Sequence, residues 1–223
     1  MADVRRLKCY KTIYEGGTGE IVEKKSRFTA HAAHVESEEE ALAFVEGIRK
    51  KYWDARHNCH AFSIGLGQET ARCSDDGEPA QTAGKPMLDV LMGQGLKNTV
   101  VVVTRYFGGT LLGTGGLVRA YSAAVQEGLR NSVIIEKYLC QRVHLCMDYT
   151  LLGKVQYLTA RRSLMVLDTV YSDVVEMQLL VPEDEIGRFE KDVTEATGGR
   201  AVFEKKGFCY GADVGGTTKV FDD

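Results

Sequence analysis

The chain has 223 residues, 44% of them hydrophobic, and its 28 Lys and Arg against 31 Asp and Glu give a formal net charge of −3. This length and composition fit one large or two modest globular domains and exclude a disordered or fibrous chain. The charge balance excludes a global basic field, so any contact with nucleic acid must come from a local patch.

No stretch of the sequence has the roughly 18 to 20 consecutive apolar residues that a membrane span requires, and the first residues have no apolar run typical of a signal peptide. We therefore expect a cytoplasmic protein without a membrane partner. The six cysteines lack CxxC spacing, which predicts free thiols rather than a disulfide framework.

Strand and helix patterns alternate through the first 136 residues. Ser37 followed by Glu40 resembles a capping box and predicts the start of a helix. The β-branched run within 98–107 is continuous rather than alternating, which predicts a strand covered on both faces. In chain order, the predicted elements are strands in 8–16 and 19–35, a helix from Ser37 to about Lys51, two strands in 57–74, a helix after Pro86, a strand in 98–107, and a helix from about Gly116 to Leu129.

The pattern changes near residue 137, where a second series of elements begins. Its order is β-α-β-β-α-β, which is typical of a ferredoxin-like domain. We therefore predict domains at 1–136 and 137–207, followed by a tail at 208–223 in which no period is visible. The elements are a strand in 138–149, a helix in 150–162, strands in 164–172 and 174–182, a helix in 183–197 and a strand in 200–206.

The segment RYFGGTLLGTGGLVRAYSAA, residues 105–124, places five glycines between a predicted strand and a predicted helix. Backbone N–H groups and the positive end of a helix dipole meet at such a junction, so it is a candidate anion site. It is not a P-loop, because Thr114 stands where the lysine is needed, and it lacks the third glycine of the dinucleotide fingerprint. The glycines are Gly108, Gly109, Gly113, Gly115 and Gly116.

Two interpretations of this segment remain open. The glycines can bind phosphate, or they can supply positive φ angles and close approach between helix and sheet. Arg105 and Arg119 favour the first, because a cation in the first turn of a helix opposes the dipole unless an anion or carboxylate pairs with it.

The segment CSDDGEPAQTAGKP, residues 73–86, contains three carboxylates within four residues: Asp75, Asp76 and Glu78. Such a group fits a Mg²⁺ site, and it also fits ion pairs with Arg105 or Arg119. Asp-Gly and Glu-Pro are ordinary turn formers, so a well-made turn is the alternative. Lys85 of the same segment joins the candidate phosphate-binding residues.

His57, Cys59 and His60 in the stretch HNCH suggest zinc, but His60 faces the other side of a strand and no second ligand pair has zinc-finger spacing. We predict no metal site there. The sequence has no GxSxG motif and no signature of a catalytic cysteine, so no catalytic residue is assigned.

Basic residues are concentrated near the start of the chain, at Arg5, Arg6, Lys8, Lys11, Lys24, Lys25 and Arg27. This concentration can meet phosphate groups of RNA. The alternative is a set of solvated charges on edge strands.

The segments HNCHAF, CSDDGEPAQTAGKPMLDVL and VVVVTRYFGGTLLGTGGLVRAYSAA, in this order, resemble the signature of the IMPACT family in its bacterial two-domain form. The resemblance implies an α+β protein whose N-terminal domain is like the second domain of ribosomal protein S-five. Its C-terminal ferredoxin-like domain would be similar to the C-terminal domain of elongation factor G. One departure is Gln81, which stands where the family pattern P-x-G-T-A-G has glycine.

Eukaryotic relatives regulate translation by binding the activator of the starvation-responsive initiation-factor kinase, which implies a non-enzymatic regulatory factor here. Its N-terminal domain would bind RNA, the ribosome or a protein partner, without a cofactor. One alternative is an enzyme that holds a nucleotide phosphate in the glycine segment, with Mg²⁺ at the acidic turn. Another is a protein-interaction module whose signature residues, His57, Asp75, Asp76 and Glu78 among them, only stabilise the fold. The sequence leaves the oligomeric state open.

Overall fold

The structure is a computed structural model, and it describes residues 6–67 and 69–222. It is an α+β protein, as predicted, and the chain divides into two compact units, Met1–Glu136 and Lys137–Asp223. Within the described residues, no helix is both long and apolar enough to cross a membrane. The elements are β1 (Cys9–Glu15), β2 (Thr18–Glu23), β3 (Ser26–His34), α1 (Glu38–Lys51), β4 (His57–Ile64), β5 (Thr70–Ser74), α2 (Gly84–Gly93), β6 (Thr99–Tyr106), α3 (Gly113–Arg130), β7 (Val133–Met147), α4 (Tyr149–Arg161), β8 (Met165–Tyr171), β9 (Val175–Pro182), α5 (Ile186–Thr197), β10 (Val202–Val214) and β11 (Thr217–Phe221).

The first unit is built on an antiparallel sheet of order β2-β3-β6-β4-β5. Its central strand is the β-branched run, and Val100 to Val103 are fully buried. Val101 and Val103 pack into the core beneath α2 and α3, while Val100 and Val102 pack into a second core with α1. The continuous apolar pattern therefore reflects a strand with a core on each face, as predicted.

The predicted start of α1 at Ser37 is confirmed. Ser37 Oγ accepts the backbone N–H of Glu40 at 3.2 Å, and the Glu40 carboxylate accepts the N–H of Glu36 at 2.8 Å. The two side chains thus satisfy two backbone donors at the helix start, as in a capping box. The Glu40 carboxylate accepts the N–H of Glu36, one residue before the N-cap N–H that it accepts in the usual pattern. Helix α3 also positions the candidate site. It begins at Gly113, three residues before the predicted start near Gly116.

The second unit has the predicted β-α-β-β-α-β order within a sheet of order β11-β10-β7-β9-β8. Leu145, Val155, Met177 and Phe189 belong to one core beneath α4 and α5. Helix α5 is capped at its C-terminus by Gly198, whose φ of 60° is the left-handed conformation that favours glycine there.

Residues 208–223, expected as a tail, instead belong to this sheet through Phe221. Strand β10 continues to Val214, and β11 pairs with it antiparallel from Tyr210 opposite Phe221. Four successive residues of β10, at 209–212, are buried, so the segment lacks the alternation of buried and exposed residues that marks a strand with one solvated face.

Candidate functional site

The glycine segment joins the end of β6 to α3, and three of its glycines are required by the backbone. A Cβ on Gly108 would lie 2.0 Å from the carbonyl carbon of Lys25, so only glycine lets the two backbones approach. Gly109 and Gly113 have φ of 85° and 70°, which favour glycine. A side chain at Gly116 would lie 3.0 Å from Leu112 Cβ, and Gly115 is the least constrained.

The N-terminus of α3 has no side-chain cap and no acidic residue in its first turn. Because α3 begins at Gly113, Arg119 lies in the second turn rather than the first, and it is exposed. Its Nη1 is 3.6 Å from the position of a Cβ on Gly115, so the guanidinium reaches back toward the helix start. Among the described residues Arg119 has no ion-pair partner, which leaves its charge available to an anion.

Asp75 of the acidic turn holds the start of α2. Its carboxylate accepts backbone N–H groups from Gln81 at 2.8 Å, Ala83 at 3.0 Å and Gly84 at 2.8 Å. Burial raises the pKa of Asp75, but the three N–H donors outweigh it and hold this pKa below its usual value. Asp75 is thus a distant cap for a helix that has no side-chain cap of its own.

Asp76 connects the turn to α1 and β4. One carboxylate oxygen accepts Arg49 Nη2 at 2.6 Å, and the other accepts the backbone N–H of Asn58 at 2.7 Å. Its carbonyl lies 2.9 Å from His57 Nδ1, and since a carbonyl only accepts, that nitrogen carries the hydrogen. His57 and Asp76 therefore fix one another, with His57 oriented by the backbone of the turn.

Glu78 is the buried centre of the acidic turn. Its Oε1 accepts Arg105 Nη1 at 2.6 Å and the Tyr121 hydroxyl at 2.9 Å, with side-chain exposure of only 8% for Arg105 and 3% for Glu78. Cys59 Sγ lies 3.3 Å from that hydroxyl. Burial raises the pKa of both Tyr121 and Cys59, so both remain protonated and serve as neutral hydrogen-bonding groups.

The three carboxylates of the turn are therefore directed to three different sets of protein donors. A Mg²⁺ ion would have to displace the N–H groups on Asp75, Arg49 on Asp76 and Arg105 on Glu78. Across residues 6–67 and 69–222, no group of three or more His, Cys, Asp or Glu side chains is arranged to hold a metal. The geometry gives no support to Mg²⁺ at this turn.

A cavity of about 530 Å³ opens where β6 ends and β4 begins, and we call it the cleft. Arg105 lines the cleft, and its Nη1 donates a hydrogen bond to Glu78. Its Nε is buried and has no hydrogen-bond partner in the described part of the chain. The Arg105 guanidinium carbon also lies 5.4 Å and 5.8 Å from the ring centres of Phe28 and Phe107. The cleft is lined by Asp54, Arg56, His57, Arg105, Tyr106, Phe107 and Leu111.

Basic residues surround this end of the sheet, and we call Lys24, Lys25, Arg27, Arg56 and Arg105 together the basic edge. Lys24 and Lys25 form the β2–β3 turn, whose backbone lies against Gly108. Arg27 faces Tyr106 in the β3–β6 register, and its guanidinium lies 4.7 Å from that ring centre.

The cations of the basic edge differ in how far protein carboxylates neutralise them. Arg105 pairs with Glu78 and Arg27 lies 3.8 Å from Glu20. Lys24, Lys25 and Arg56 are exposed, and no described carboxylate lies within ion-pair distance of them. Three positive charges are thus left to solvent or to a ligand.

Some predicted site residues lie elsewhere. Lys85 pairs with Asp89 on the exposed face of α2 at 2.5 Å and does not line the cleft. Lys11 lines a different cavity, beside Gly93 and Leu96. The prediction that Arg5 contributes to a phosphate-binding patch lies outside the described residues.

The sequence interpretation missed Arg49, Arg56, Phe107 and Tyr121. Arg49 carries no local signal in α1, and Tyr121 falls on the apolar stripe of α3, a position that indicates packing. Arg56 and Phe107 directly adjoin the HNCH motif and the glycine pair, so their positions were the available signal.

Comparison with known proteins identifies the family. Residues 24–129 match the family described as Impact N-terminal domain, and residues 145–200 match a domain of unknown function, DUF1949. The IMPACT family member YvyE of Bacillus subtilis is 42% identical over 204 residues, which cover 92% of this chain and 94% of YvyE. The chain belongs to the IMPACT family.

Solved structures extend the comparison. A protein described only as hypothetical is 34% identical, with a TM-score of 0.58 over 90% of this chain and 98% of its own. The two-domain translational regulator Yih1 is 27% identical and covers 59% of this chain and 51% of its own, with a TM-score of 0.37. The similarity to the first of these structures extends over both units of this IMPACT family chain.

Proposed function

We propose that this protein is a non-enzymatic, cytoplasmic factor that regulates translation by binding RNA, free or within the ribosome, through its N-terminal domain. The proposed domains are 1–136 and a second that begins at 137 and, unlike the predicted boundary at 207, includes β10 and β11. The first domain would be like the second domain of ribosomal protein S-five. The second would be similar to the C-terminal domain of elongation factor G. The connection to translation rests on membership of the IMPACT family.

The RNA component rests on one observation, the unneutralised charge of the basic edge. Lys24, Lys25 and Arg56 have no carboxylate partner among the described residues. Arg56 lines the cleft, and the turn that carries Lys24 and Lys25 lies against Gly108, which follows the lining residue Phe107. Phosphate groups of RNA bind such clusters by releasing condensed counterions, which requires a local patch but no net positive charge. A chain of formal charge −3 can bind RNA in this way.

The alternatives fit the contacts less well. A nucleotide-binding enzyme would need Mg²⁺ at carboxylates that are engaged by Arg49, Arg105 and backbone N–H groups. A purely structural signature accounts for Asp75, Asp76 and Glu78, but it leaves the unpaired cations Lys24, Lys25 and Arg56 without a role.

Co-sedimentation with RNA and with ribosomes across a salt series tests the proposal. We expect binding at low salt that weakens as salt rises, because counterion release loses its advantage. The double variant Lys24→Ala/Lys25→Ala should bind more weakly, whereas the charge-matched control Lys205→Ala/Lys206→Ala in the second unit should not. Absence of binding at low salt, or equal loss in both variants, would contradict the proposal.

A further inference from the structure

We infer that the cleft accommodates an unpaired nucleotide of RNA, with its phosphate at Arg56 and its base against Phe107, so that the protein prefers single-stranded to double-stranded RNA. This inference rests on the proposed function, since it specifies which form of RNA the basic edge binds.

The cleft combines a positive charge with an aromatic surface. Phe107 is 58% exposed and forms the wall of the cleft next to Arg105, whose guanidinium lies 5.8 Å from its ring centre. Arg56 lines the same cleft and has no partner among the described residues. Aromatic rings beside cations are what single-strand binders use, because every base has a face that can stack and every nucleotide has a phosphate.

The cleft also has an exposed apolar rim. Leu111 also lines the cleft and is 82% exposed, and Trp53, which is 83% exposed, directly precedes the lining residue Asp54. Large apolar side chains this exposed mark an interaction surface when they cluster, as Phe107 and Leu111 do in the lining of the cleft. The faces of the bases are stacked inside a duplex. Double-stranded RNA can therefore contact the cations of this surface through its phosphates, but its bases cannot stack on the aromatic rings of the protein.

The size of the cleft and the charges that line it also bear on which ligand it accommodates. A cavity of about 530 Å³ lies within the range of sites that bind small ligands, which fits one nucleotide rather than a helix of RNA. The acidic lining residue Asp54 accepts the Tyr106 hydroxyl at 2.6 Å, and Glu78 beneath the cleft is paired with Arg105. Arg105 therefore neutralises Glu78, whereas Asp54 has one oxygen occupied by a neutral hydroxyl and keeps its charge. Arg56 is the lining cation without a carboxylate partner among the described residues.

Trp53 provides the measurement, because it is the single tryptophan of the chain. Its fluorescence should change on titration with a short single-stranded RNA, whereas the same sequence as a duplex should bind more weakly and change it less. Phe107→Ala should weaken single-strand binding by at least about five-fold, because one base–aromatic stack is lost. Phe107→Tyr should restore binding, and Arg56→Ala should weaken it independently. Tyr157→Ala is the matched control, since it removes a 65% exposed aromatic residue from α4.

Equal affinity for single strand and duplex, or an unchanged affinity in Phe107→Ala, would overturn the inference and leave the proposed function intact if RNA still co-sediments. Displacement of the single strand by an acidic peptide at similar concentration would also overturn it, since the cleft would then be a protein-docking site. If RNA does not bind at all at low salt, the proposed function itself fails.

Discussion

Gln81 has a φ of 63°, a left-handed conformation that glycine adopts far more readily than glutamine. Its backbone N–H is held there by Asp75 Oδ2 at 2.8 Å. The glycine that the family pattern has at this position therefore suits the left-handed backbone. Gln81 adopts the same conformation at an energetic cost.

Replacing Gln81 with glycine should raise the free energy of unfolding by about 0.5 to 1 kcal/mol. Glycine relieves the left-handed strain in the folded state, and this gain in free energy exceeds the stabilisation that its extra conformational entropy gives the unfolded chain. Denaturant unfolding of Gln81→Gly and Gln81→Ala measures the difference, and the alanine variant should gain nothing. A glycine variant less stable than the wild type would contradict this account of the turn.

The cysteines should differ sharply in reactivity. Burial raises the pKa of Cys140 to about 11 and raises that of Cys59 as well, so neither forms much thiolate near pH 8. Cys9 is exposed. Mass spectrometry after brief alkylation of the folded protein should find Cys9 modified and Cys59 and Cys140 intact. Rapid modification of Cys59 would show that the contacts around Glu78 open in solution.

At the scale of elements, α2 depends on a residue that lies nine positions before its first residue. The helix has no side-chain cap, and the Asp75 carboxylate accepts the N–H groups of Ala83 and Gly84 instead. Since α2 covers one side of the first core, this carboxylate connects the acidic turn to the packing of the sheet.

Asp75→Ala should lower the free energy of unfolding at neutral pH by about 1 to 2 kcal/mol, as the loss of a helix cap does. Because folding lowers the pKa of Asp75, its contribution is present above the unfolded pKa, near 4, and is lost as pH falls through the folded pKa. The difference between wild type and variant should therefore shrink in acid. Denaturant unfolding from pH 7 to pH 2 measures it, and a difference that stays constant would contradict the cap.

The elements themselves were largely predictable, because local patterns determine them. Ser37 with Glu40 marked the start of α1, and the valine run marked the central strand. The strand character of 208–214 was not predictable, because residues 209–212 are all buried and the segment therefore shows no alternation. The candidate site was predictable only in part, since Arg49 meets Asp76 across 27 residues of sequence and no local pattern records such a contact.

At the scale of the whole molecule, a net charge of −3 coexists with a basic edge whose cations are mostly unneutralised. The glycine segment contributes to this edge through close packing, since Gly108 lets the Lys25 backbone approach β6. The phosphate-binding and structural interpretations of that segment are therefore compatible: the glycines shape the edge, and the side chains around it supply the charge.

The most direct test of this account is the salt dependence of single-stranded RNA binding by the full chain and by the triple variant Lys24→Ala/Lys25→Ala/Arg56→Ala. Each phosphate contact contributes a slope of about −0.7 to the dependence of log K on log salt concentration. We predict that the variant binds more weakly and that its slope is less negative by about two units, because three phosphate contacts are removed. The same slope in both proteins would contradict RNA binding at the basic edge.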